Sequence, residues 1–345
     1  MGDIERILDK VEKTSERAAL VTLIDVQGSF YRKPGAAMLL FHHHQRIGLI
    51  SGGCLEMDIE SRVQDWFELS TSDFENLNGQ ILTYDLRSEN DSGWGRGPGC
   101  NGVITILVEP VTETFRHQLK RLKHQLDQGH SGVSLRQLEK NQCVKRAFLF
   151  ENGLEMGDVW AFRHVFSRID YETVMHAPLP ENMIRLPHAV SPRLVIIGAA
   201  DDAKPLSALA ARTGWRVTVA DFRAALCHKG RFPEADFCIV AEPGAIAERL
   251  LLREQDAVVV MTHDFQADQK ILHGLIGKHR GYIGLLGPRE RTNRLLKGQP
   301  WPQNLHAPVG LAIGAEGPEE IAISVMAEII KVFRWAKKTV GAAHG

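Results

Sequence analysis

Short apolar runs alternate with helix-like segments through the second half of the chain. Leu194 to Ile197 is rich in β-branched residues, which is typical of a strand buried on both faces of a parallel sheet. From Asp202 the apolar positions recur at helical spacing, and Gly214 marks the end of that helix. Further apolar runs follow at 215–220, 237–240, 257–261 and 282–286. This alternation predicts an α/β fold with a Rossmann-like parallel sheet.

The first half of the chain has a mixed pattern. We predict strands at 18–26, 36–41, 47–50, 81–86 and 103–109, and helices near the N-terminus, at 57–69 and at 115–126. Weaker strand signals continue to about 189, and four prolines punctuate 176–192. A chain of 345 residues exceeds the size of most single cores. The sequence therefore predicts an N-terminal domain over 1–176, a linker over 177–192 and a Rossmann-like domain over 193–345.

The turn after the first parallel strand is a candidate nucleotide site. Gly198 leads from the strand into a helix, and Asp221 lies 23 residues later at the end of the next strand. In dinucleotide-binding folds, an acidic residue roughly 20 residues after the glycine turn meets a ribose hydroxyl. However, Ala200 stands where close approach of a pyrophosphate needs glycine, and Asp201 and Asp202 would repel phosphate. The turn therefore favours weak or absent NAD(P) binding, and a scaffold whose acidic turn caps a helix stays an alternative.

A glycine-rich segment over 87–102 predicts a ligand-binding loop in the N-terminal domain. Gly97, Gly99 and Gly102 would expose backbone N–H groups to an anionic ligand, Arg96 adds positive charge, and Cys100 offers a soft thiolate. A flexible surface loop is the alternative.

Two further places are candidates for chemistry. Cys54 follows two glycines just before a helix, where the helix end favours a reactive thiolate, although a small packing residue is equally consistent. His263 and Asp264 follow the apolar run 257–261, at the strand end where α/β sheets bind ligands. His263 is a candidate acid, base or ligand, and helix capping is the alternative. We read the run 42–44, three histidines, as a solvated turn and predict no metal site.

Composition narrows the classes of partner and compartment. The net charge is −1 and the chain lacks a long basic run, which argues against nucleic acid. Five irregularly spaced cysteines predict neither a disulfide framework nor structural zinc, so we expect a reducing cytoplasm. No apolar run approaches the roughly 18 residues that a membrane span needs.

Several blocks, in order along nearly the whole chain, resemble the XdhC/CoxI family of accessory proteins that mature molybdenum hydroxylases such as xanthine dehydrogenase. The blocks are Gly52 to Glu56, Gly99 to Gly102 with Val108 to Pro110, Gly214 to Val217, Thr262 to Asp264 with Asp268, Gly284 to Gly287, Ala307 to Leu311 and Pro318 to Ala322. The chain departs from the family pattern at Ala200 and Asp201, at Phe30 and Tyr31, and at Asn101 and Pro288. These departures affect the ligand contacts rather than the fold.

The resemblance implies a family-specific mixed α/β domain before the Rossmann-like domain. It also implies binding of molybdenum cofactor (molybdopterin), support of its sulfuration, and transfer to xanthine dehydrogenase or a related hydroxylase. A cysteine desulfurase and a second copy of this chain are the further partners that we expect. On this hypothesis the protein is a cofactor chaperone rather than a turnover enzyme. Its predicted reactive residues are Cys100, Cys54 and His263, and its predicted cofactor-binding residues are Arg96, Gly97, Gly99, Gly102, Gly198, Asp221 and Asp264.

Two other classes of function stay open at this point. An NAD-dependent oxidoreductase would use Asp221 on the ribose and His263 as acid or base. A catalytic subunit of xanthine dehydrogenase is disfavoured, because the chain is short and lacks an iron–sulfur cysteine cluster. The other class is a purely structural scaffold that holds the hydroxylase and a cysteine desulfurase together. Among the other cysteines, Cys238 falls inside an apolar strand and is expected to be the buried, structural one.

Overall fold

The computed structural model of the chain describes residues 2–42, 45–51, 53, 55–87 and 101–342. The chain divides into two compact units, Met1–Val190 and Ser191–Gly345. Because each unit has its own sheet and its own apolar clusters, each is treated as a separate folding unit below.

The described residues of the first unit form one nine-stranded sheet with helices against it. The helices are α1 (Gly2–Lys13), α2 (Glu56–Glu68), α3 (Thr71–Glu75), α4 (Glu113–Asp127) and α5 (Tyr171–His176). The strands are β1 (Ala18–Ser29), β2 (Ala37–Phe41), β3 (Arg46–Gly48), β4 (Gly79–Asp85), β5 (Asn101–Pro110), β6 (Gly132–Glu139), β7 (Gln142–Phe150), β8 (Glu155–Gly157) and β9 (Met183–His188). Their order is β3-β2-β1-β5-β4-β7-β6-β9, and β8 pairs with β7.

Helices cover both faces of the central strands in this unit. Leu20 of β1 packs with α1 and α4, whereas its neighbour Val21 packs with α2 on the opposite face. Successive side chains of a strand point to opposite faces, so a strand covered on both sides must be apolar at consecutive positions. This requirement explains the unbroken buried run at the start of β1.

The predicted linker differs from the structure at β9. Met183–His188 pairs antiparallel with β6, so these six residues of the predicted linker 177–192 belong to the first sheet. Pro187 is one of the four prolines that predicted the linker, yet a proline is tolerated here because β9 lies at the edge of the described sheet, where one side of the strand needs no hydrogen bonds. The division between the units falls after Val190.

The described part of the second unit contains six parallel strands. These are β10 (Arg193–Ile197), β11 (Arg216–Asp221), β12 (Phe237–Val240), β13 (Ala257–Val260), β14 (Tyr282–Leu285) and β15 (Leu305–His306). The helices are α6 (Ala203–Arg212), α7 (Ile246–Arg249), α8 (Phe265–Leu275), α9 (Arg289–Leu296) and α10 (Gly317–Ala342). The strand order is β12-β11-β10-β13-β14-β15, so the direction of winding reverses between β10 and β13.

Two apolar clusters bury the parallel sheet. One joins the sheet to α6 and α10, and the other joins it to α7, α8 and α9. The predicted α/β class with a Rossmann-like parallel sheet is confirmed. Of the strands described in this sheet, the sequence pattern did not indicate β15, which has two residues. No described helix has both the length and the apolar character that crossing a bilayer demands.

Candidate functional site

The flanks of the glycine-rich segment meet at one end of the first sheet. Ser29 at the end of β1 pairs with Asn101 at the start of β5, and Asp85 at the end of β4 pairs with Val103. The segment between β4 and β5 therefore leaves and re-enters the sheet at neighbouring positions. The predicted site residues Arg96, Gly97, Gly99 and Cys100 lie outside the described residues, as does Cys54.

Gly102 is the predicted loop glycine that the structure describes. A Cβ atom at this position would lie 2.3 Å from the carbonyl oxygen of Gln27. Its own carbonyl accepts a hydrogen bond from the Leu86 N–H at 2.9 Å. Gly102 is thus required for the close approach of β1 and β5, which fixes one end of the segment.

A buried carboxylate holds the described residues on either side of Cys54. Glu56 is fully buried and accepts hydrogen bonds from the Ile50 N–H (3.1 Å), the Ser51 N–H (2.7 Å) and the Ser51 hydroxyl. Ser51 Oγ in turn accepts from the N–H groups of Gly53 (3.2 Å) and Leu55 (3.3 Å). Burial alone would raise the pKa of Glu56, but these hydrogen bonds hold it below its usual value. The carboxylate therefore stays ionised and organises both sides of the turn.

A second polar group ties the start of α2 to β4, the strand that precedes the glycine-rich segment. Asp58, in the first turn of α2, accepts hydrogen bonds from the Tyr84 hydroxyl and from Arg62 Nε, each at 2.7 Å. Tyr84 is the penultimate residue of β4. The N-terminus of α2 and the exit of β4 therefore lie side by side. The described residues that follow Cys54 therefore lie near the strand that precedes the glycine-rich segment, whereas the sequence had placed the two in separate motifs.

In the second unit, the β10–α6 turn lies directly against the end of β13. Gly198 has φ +124°, and a Cβ atom there would come within 2.3 Å of the carbonyl oxygen of Met261. Only glycine fits this position. The turn thus lies at the point where the strand order reverses, which is the ligand position of open α/β sheets.

Asp221 is turned into the protein rather than towards a ligand. It is fully buried, and its oxygens accept hydrogen bonds from Arg223 Nε (2.9 Å), from Arg223 Nη2 (2.7 Å) and from the Ala199 N–H (2.7 Å). Burial would raise the pKa of Asp221, but the Arg223 guanidinium and the Ala199 N–H lower it. This arrangement does not fit the usual ribose contact of NAD(P), because the carboxylate is already saturated by its own unit.

His263 and Asp264 have different roles at the end of β13. His263 has φ +62°, which is unusual for a residue other than glycine, and its Nε2 lies 2.7 Å from Asp202 Oδ2 in the opposite turn. Asp264 caps α8 through a hydrogen bond from the Ala267 N–H at 2.8 Å. The capping role considered for His263 thus belongs to Asp264. The pair of His263 and Asp202 bridges the two turns that border the switch point.

A buried ionic cluster in the first unit was not predicted from the sequence, although its carboxylate, Glu109, lies in the block Val108 to Pro110. Glu109 of β5 is fully buried and bonds Arg136 of β6 (2.8 Å) and Arg146 of β7 (2.6 Å). Burial alone would raise the pKa of Glu109, but the two guanidinium groups hold it below its usual value. Arg146 also lies 4.2 Å from the centre of the Phe115 ring. The block Val108 to Pro110 marked the position of Glu109, but its pairing with arginines 27 and 37 positions away has no local pattern.

The cysteines differ from expectation as well. Cys143 and Cys227 are buried, whereas Cys238 is only half-buried because β12 is the outermost strand of the described sheet. The expectation that Cys238 is the buried structural cysteine is wrong. Within the described residues, no group of three or more His, Cys, Asp or Glu side chains is arranged to hold a metal ion.

Six parallel strands that reverse order beside a glycine turn define the second unit as a Rossmann-type domain. Comparison with known families agrees, since the XdhC Rossmann domain matches residues 194–329, and a second description, XdhC and CoxI family, matches residues 12–77. The chain belongs to the XdhC and CoxI family.

Individual relatives extend over nearly the whole chain. A Bacillus subtilis protein named as a probable subunit of xanthine dehydrogenase is 40% identical over 334 residues, which cover 96% of this chain and 98% of that protein. The Escherichia coli molybdenum cofactor insertion chaperone PaoD is 25% identical over 331 residues, covering 91% of this chain and 83% of its own. A crystal structure described as a xanthine dehydrogenase from Bacillus halodurans has 37% identity and a TM-score of 0.84, covering 97% of this chain and 96% of that one. The family resemblance inferred from the sequence is confirmed.

Proposed function

We propose that this protein binds molybdenum cofactor and delivers it to xanthine dehydrogenase or a related molybdenum hydroxylase. The observation that carries the proposal is the similarity, over 91% of the chain, to a protein named as a molybdenum cofactor insertion chaperone. The Bacillus subtilis relative, whose name refers to xanthine dehydrogenase, supports the choice of hydroxylase. In this proposal a cysteine desulfurase sulfurates the cofactor while it is bound, and the protein acts as a homodimer.

We place the cofactor at the end of the first sheet where the described flanks of the glycine-rich segment and of Cys54 lie. The cargo is an anionic pterin phosphate that carries a soft, sulfur-ligated metal. Backbone N–H groups of Gly97 and Gly99 and the Arg96 side chain suit the phosphate, and the thiolates of Cys54 and Cys100 suit the metal or its terminal sulfur. The support for this placement is that Gly102 and the Glu56 carboxylate fix the flanks of both segments at the same end.

The thiolate part of the proposal is tested by cysteine variants of the full chain. Cys100→Ser and Cys54→Ser should lower the molybdenum that copurifies with the protein and the activation of apo-hydroxylase, because a hydroxyl is a harder ligand. Both quantities are measured by elemental analysis and by hydroxylase activity after mixing. Cys238→Ser, in the other unit, is the matched control and should change neither. Full retention and full activation by both loop variants would exclude a thiolate role.

The Rossmann-type unit is not expected to bind NAD(P) in the usual way. The saturated carboxylate of Asp221 leaves the ribose without its acceptor, and Asp201 and Asp202 repel the pyrophosphate. Titration calorimetry with NAD(H) and with cofactor released from a molybdoenzyme distinguishes the two ligands. Micromolar affinity for NAD(H) would contradict this part of the proposal.

A further inference from the structure

Two cysteines of the second unit lie together although the chain separates them by a long turn. Cys238 is the residue of β12 that pairs in register with Val219 of β11. The Cys227 thiol donates to the carbonyl oxygens of Val219 and Ile239, each at 3.5 Å. Cys227 therefore lies over the β11–β12 ladder beside Cys238. Both side chains belong to the same apolar cluster, on the side of the sheet that α6 and α10 cover.

The two thiols lie on the same face of the β11–β12 ladder and differ in access. Cys227 is 4% exposed, whereas Cys238 is half-buried on the outermost strand of the described sheet. Burial raises the pKa of the Cys238 thiol, and the nearby positive charge of Lys229 offsets part of that rise. A half-buried thiol near a cation, with a second thiol over the same pair of strands, is the arrangement in which a disulfide can form in two steps.

We propose that Cys227 and Cys238 form a reversible disulfide when the protein meets a peroxide, with Cys238 reacting first and Cys227 resolving. The Cys238 thiolate attacks one peroxide oxygen, the O–O bond breaks, and the leaving hydroxide or alkoxide takes up a proton, which leaves a sulfenic acid. The Cys227 sulfur then attacks the Cys238 sulfur. The S–O bond breaks as the S–S bond forms, and water leaves with the proton of Cys227. Two thiols lose two electrons in total, and the peroxide gains them.

The cross-link would join the turn after β11 to the edge strand. The Cys227 N–H donates to the carbonyl oxygen of Arg223 at 3.2 Å, so Cys227 lies one turn of chain beyond the arginine that saturates Asp221. Oxidation therefore ties the segment that supplies Arg223 to β12. Neither the thiol pair nor its chemistry depends on molybdenum cofactor.

Peptide mapping of the full-length protein tests the proposal. The native protein is treated with a small excess of hydrogen peroxide, alkylated, and cleaved with trypsin. The expected product is a disulfide between the peptide over 224–229, which contains Cys227, and the peptide over 232–249, which contains Cys238. Dithiothreitol should reverse it. Cys143→Ser, which alters a buried thiol of the other unit, should leave this cross-link in full yield.

The order of the two steps has its own test. Cys227→Ser should accumulate a sulfenic acid on Cys238 that dimedone labels, whereas Cys238→Ser should leave Cys227 unlabelled at the same peroxide dose, because Cys227 is buried. Equal labelling of Cys227 would overturn the assigned order. Absence of the cross-linked peptide from peroxide-treated wild-type protein would overturn the pair itself, and this result does not depend on how well either variant folds.

Discussion

The Asp221 carboxylate has all of its interactions within its own unit. A ribose hydroxyl would have to replace hydrogen bonds from Arg223 and from the Ala199 N–H. Hydrogen bonds that involve a charged group contribute about 1.5–3 kcal/mol each, so a nucleotide gains little by displacing them. An acidic residue at the expected spacing is therefore not sufficient for nucleotide binding, because the nearest cation decides which partner the carboxylate takes.

Gly102→Ala should destabilise the first unit without involving the cofactor. The new methyl group would meet the Gln27 carbonyl oxygen, a backbone atom that cannot move without disturbing β1. Overpacking of this kind costs about 1–3 kcal/mol. Urea titration of the purified variant, followed through the unfolding of the first unit, measures the change.

Gly244→Ala provides the comparison for that substitution. Nothing lies within 4 Å of a Cβ atom at Gly244, so the change there should be within about 0.5 kcal/mol of wild type. Equal stability of the two variants would show that β1 and β5 are not held as closely as described.

The ring of His188 should make the first unit sensitive to mild acid. Burial, together with the nearby Arg136 guanidinium, lowers the pKa of His188 to about 3. The residue is only half-buried, because β9 is an edge strand. Its Nε2, however, lies 2.8 Å from Ser134 Oγ, which is fully buried, so the imidazole ring is shielded from solvent. The unfolded state takes up a proton below about pH 6.5 and the folded state does not. Stability is therefore complete above pH 6.5 and falls as the pH drops towards 3.

His188→Gln isolates this contribution from the other titrating groups. Between pH 5.5 and 4.5 the free energy of unfolding of wild type should fall faster than that of the variant, by up to about 1.4 kcal/mol per pH unit. Urea titrations at pH 7.5, 5.5 and 4.5 give the two slopes. A constant difference between the proteins across that range would show that His188 titrates normally.

Among the site residues, the sequence could locate positions but not partners. Spacing and strand pattern placed Gly198, Asp221 and Asp264 at strand ends, where the structure has them. Arg223 lies two residues from Asp221, yet its contact depends on the side-chain direction in a turn without periodicity. The position of Cys227 over the ladder that carries Cys238 likewise depends on how β12 aligns beside β11, which no local pattern encodes.

Strands β5, β6 and β7 are joined through one buried carboxylate. Glu109 neutralises two guanidinium groups, Arg136 and Arg146, inside the first unit. Glu109→Gln would leave these cations buried without an opposing charge. Breaking a buried ion pair in this way typically costs about 3–5 kcal/mol. The midpoint of chemical unfolding of the first unit should fall accordingly.

Glu155→Gln is the matched control for this change. Glu155 is exposed on β8, so loss of its charge should change stability by less than about 0.5 kcal/mol. If Glu109→Gln were no more destabilising than Glu155→Gln, the charge of Glu109 would not be needed to neutralise the two buried arginines, and the prediction would be wrong.

Most of the described strands and the helices α1, α2, α4 and α6 were predictable, because their apolar positions recur with the period of a strand or of a helix. The predicted segment 257–261 corresponds to β13, and the predicted helix 115–126 corresponds to α4. The failures have physical causes. Pro187 normally argues against a strand, but an edge position removes that objection. Strand β15 has too few residues to show any period.

The chain as a whole should unfold in two steps. Each unit buries its own clusters, so a core substitution should affect the unit that contains it. Leu122→Ala in the first unit and Leu275→Ala in the second each remove a fully buried side chain, at a cost of about 2–5 kcal/mol. Scanning calorimetry should show two transitions, with a different one lowered by each variant. A single transition that both variants lower equally would indicate that the units unfold together.

Pairing of β1 with β5 also has a consequence for folding during synthesis, because β5 is translated well after β1. Ser29 ends β1 and Asn101 begins β5, 72 positions later. At about 5–20 residues per second, translation takes roughly 4–14 s to supply the missing partner. Until then β1 can pair with β2 alone, and its other edge exposes unpaired backbone and apolar side chains on the ribosome. The second unit has a comparable but somewhat shorter interval, because β10 ends at Ile197 and its second neighbour, β13, begins at Ala257, 60 positions later.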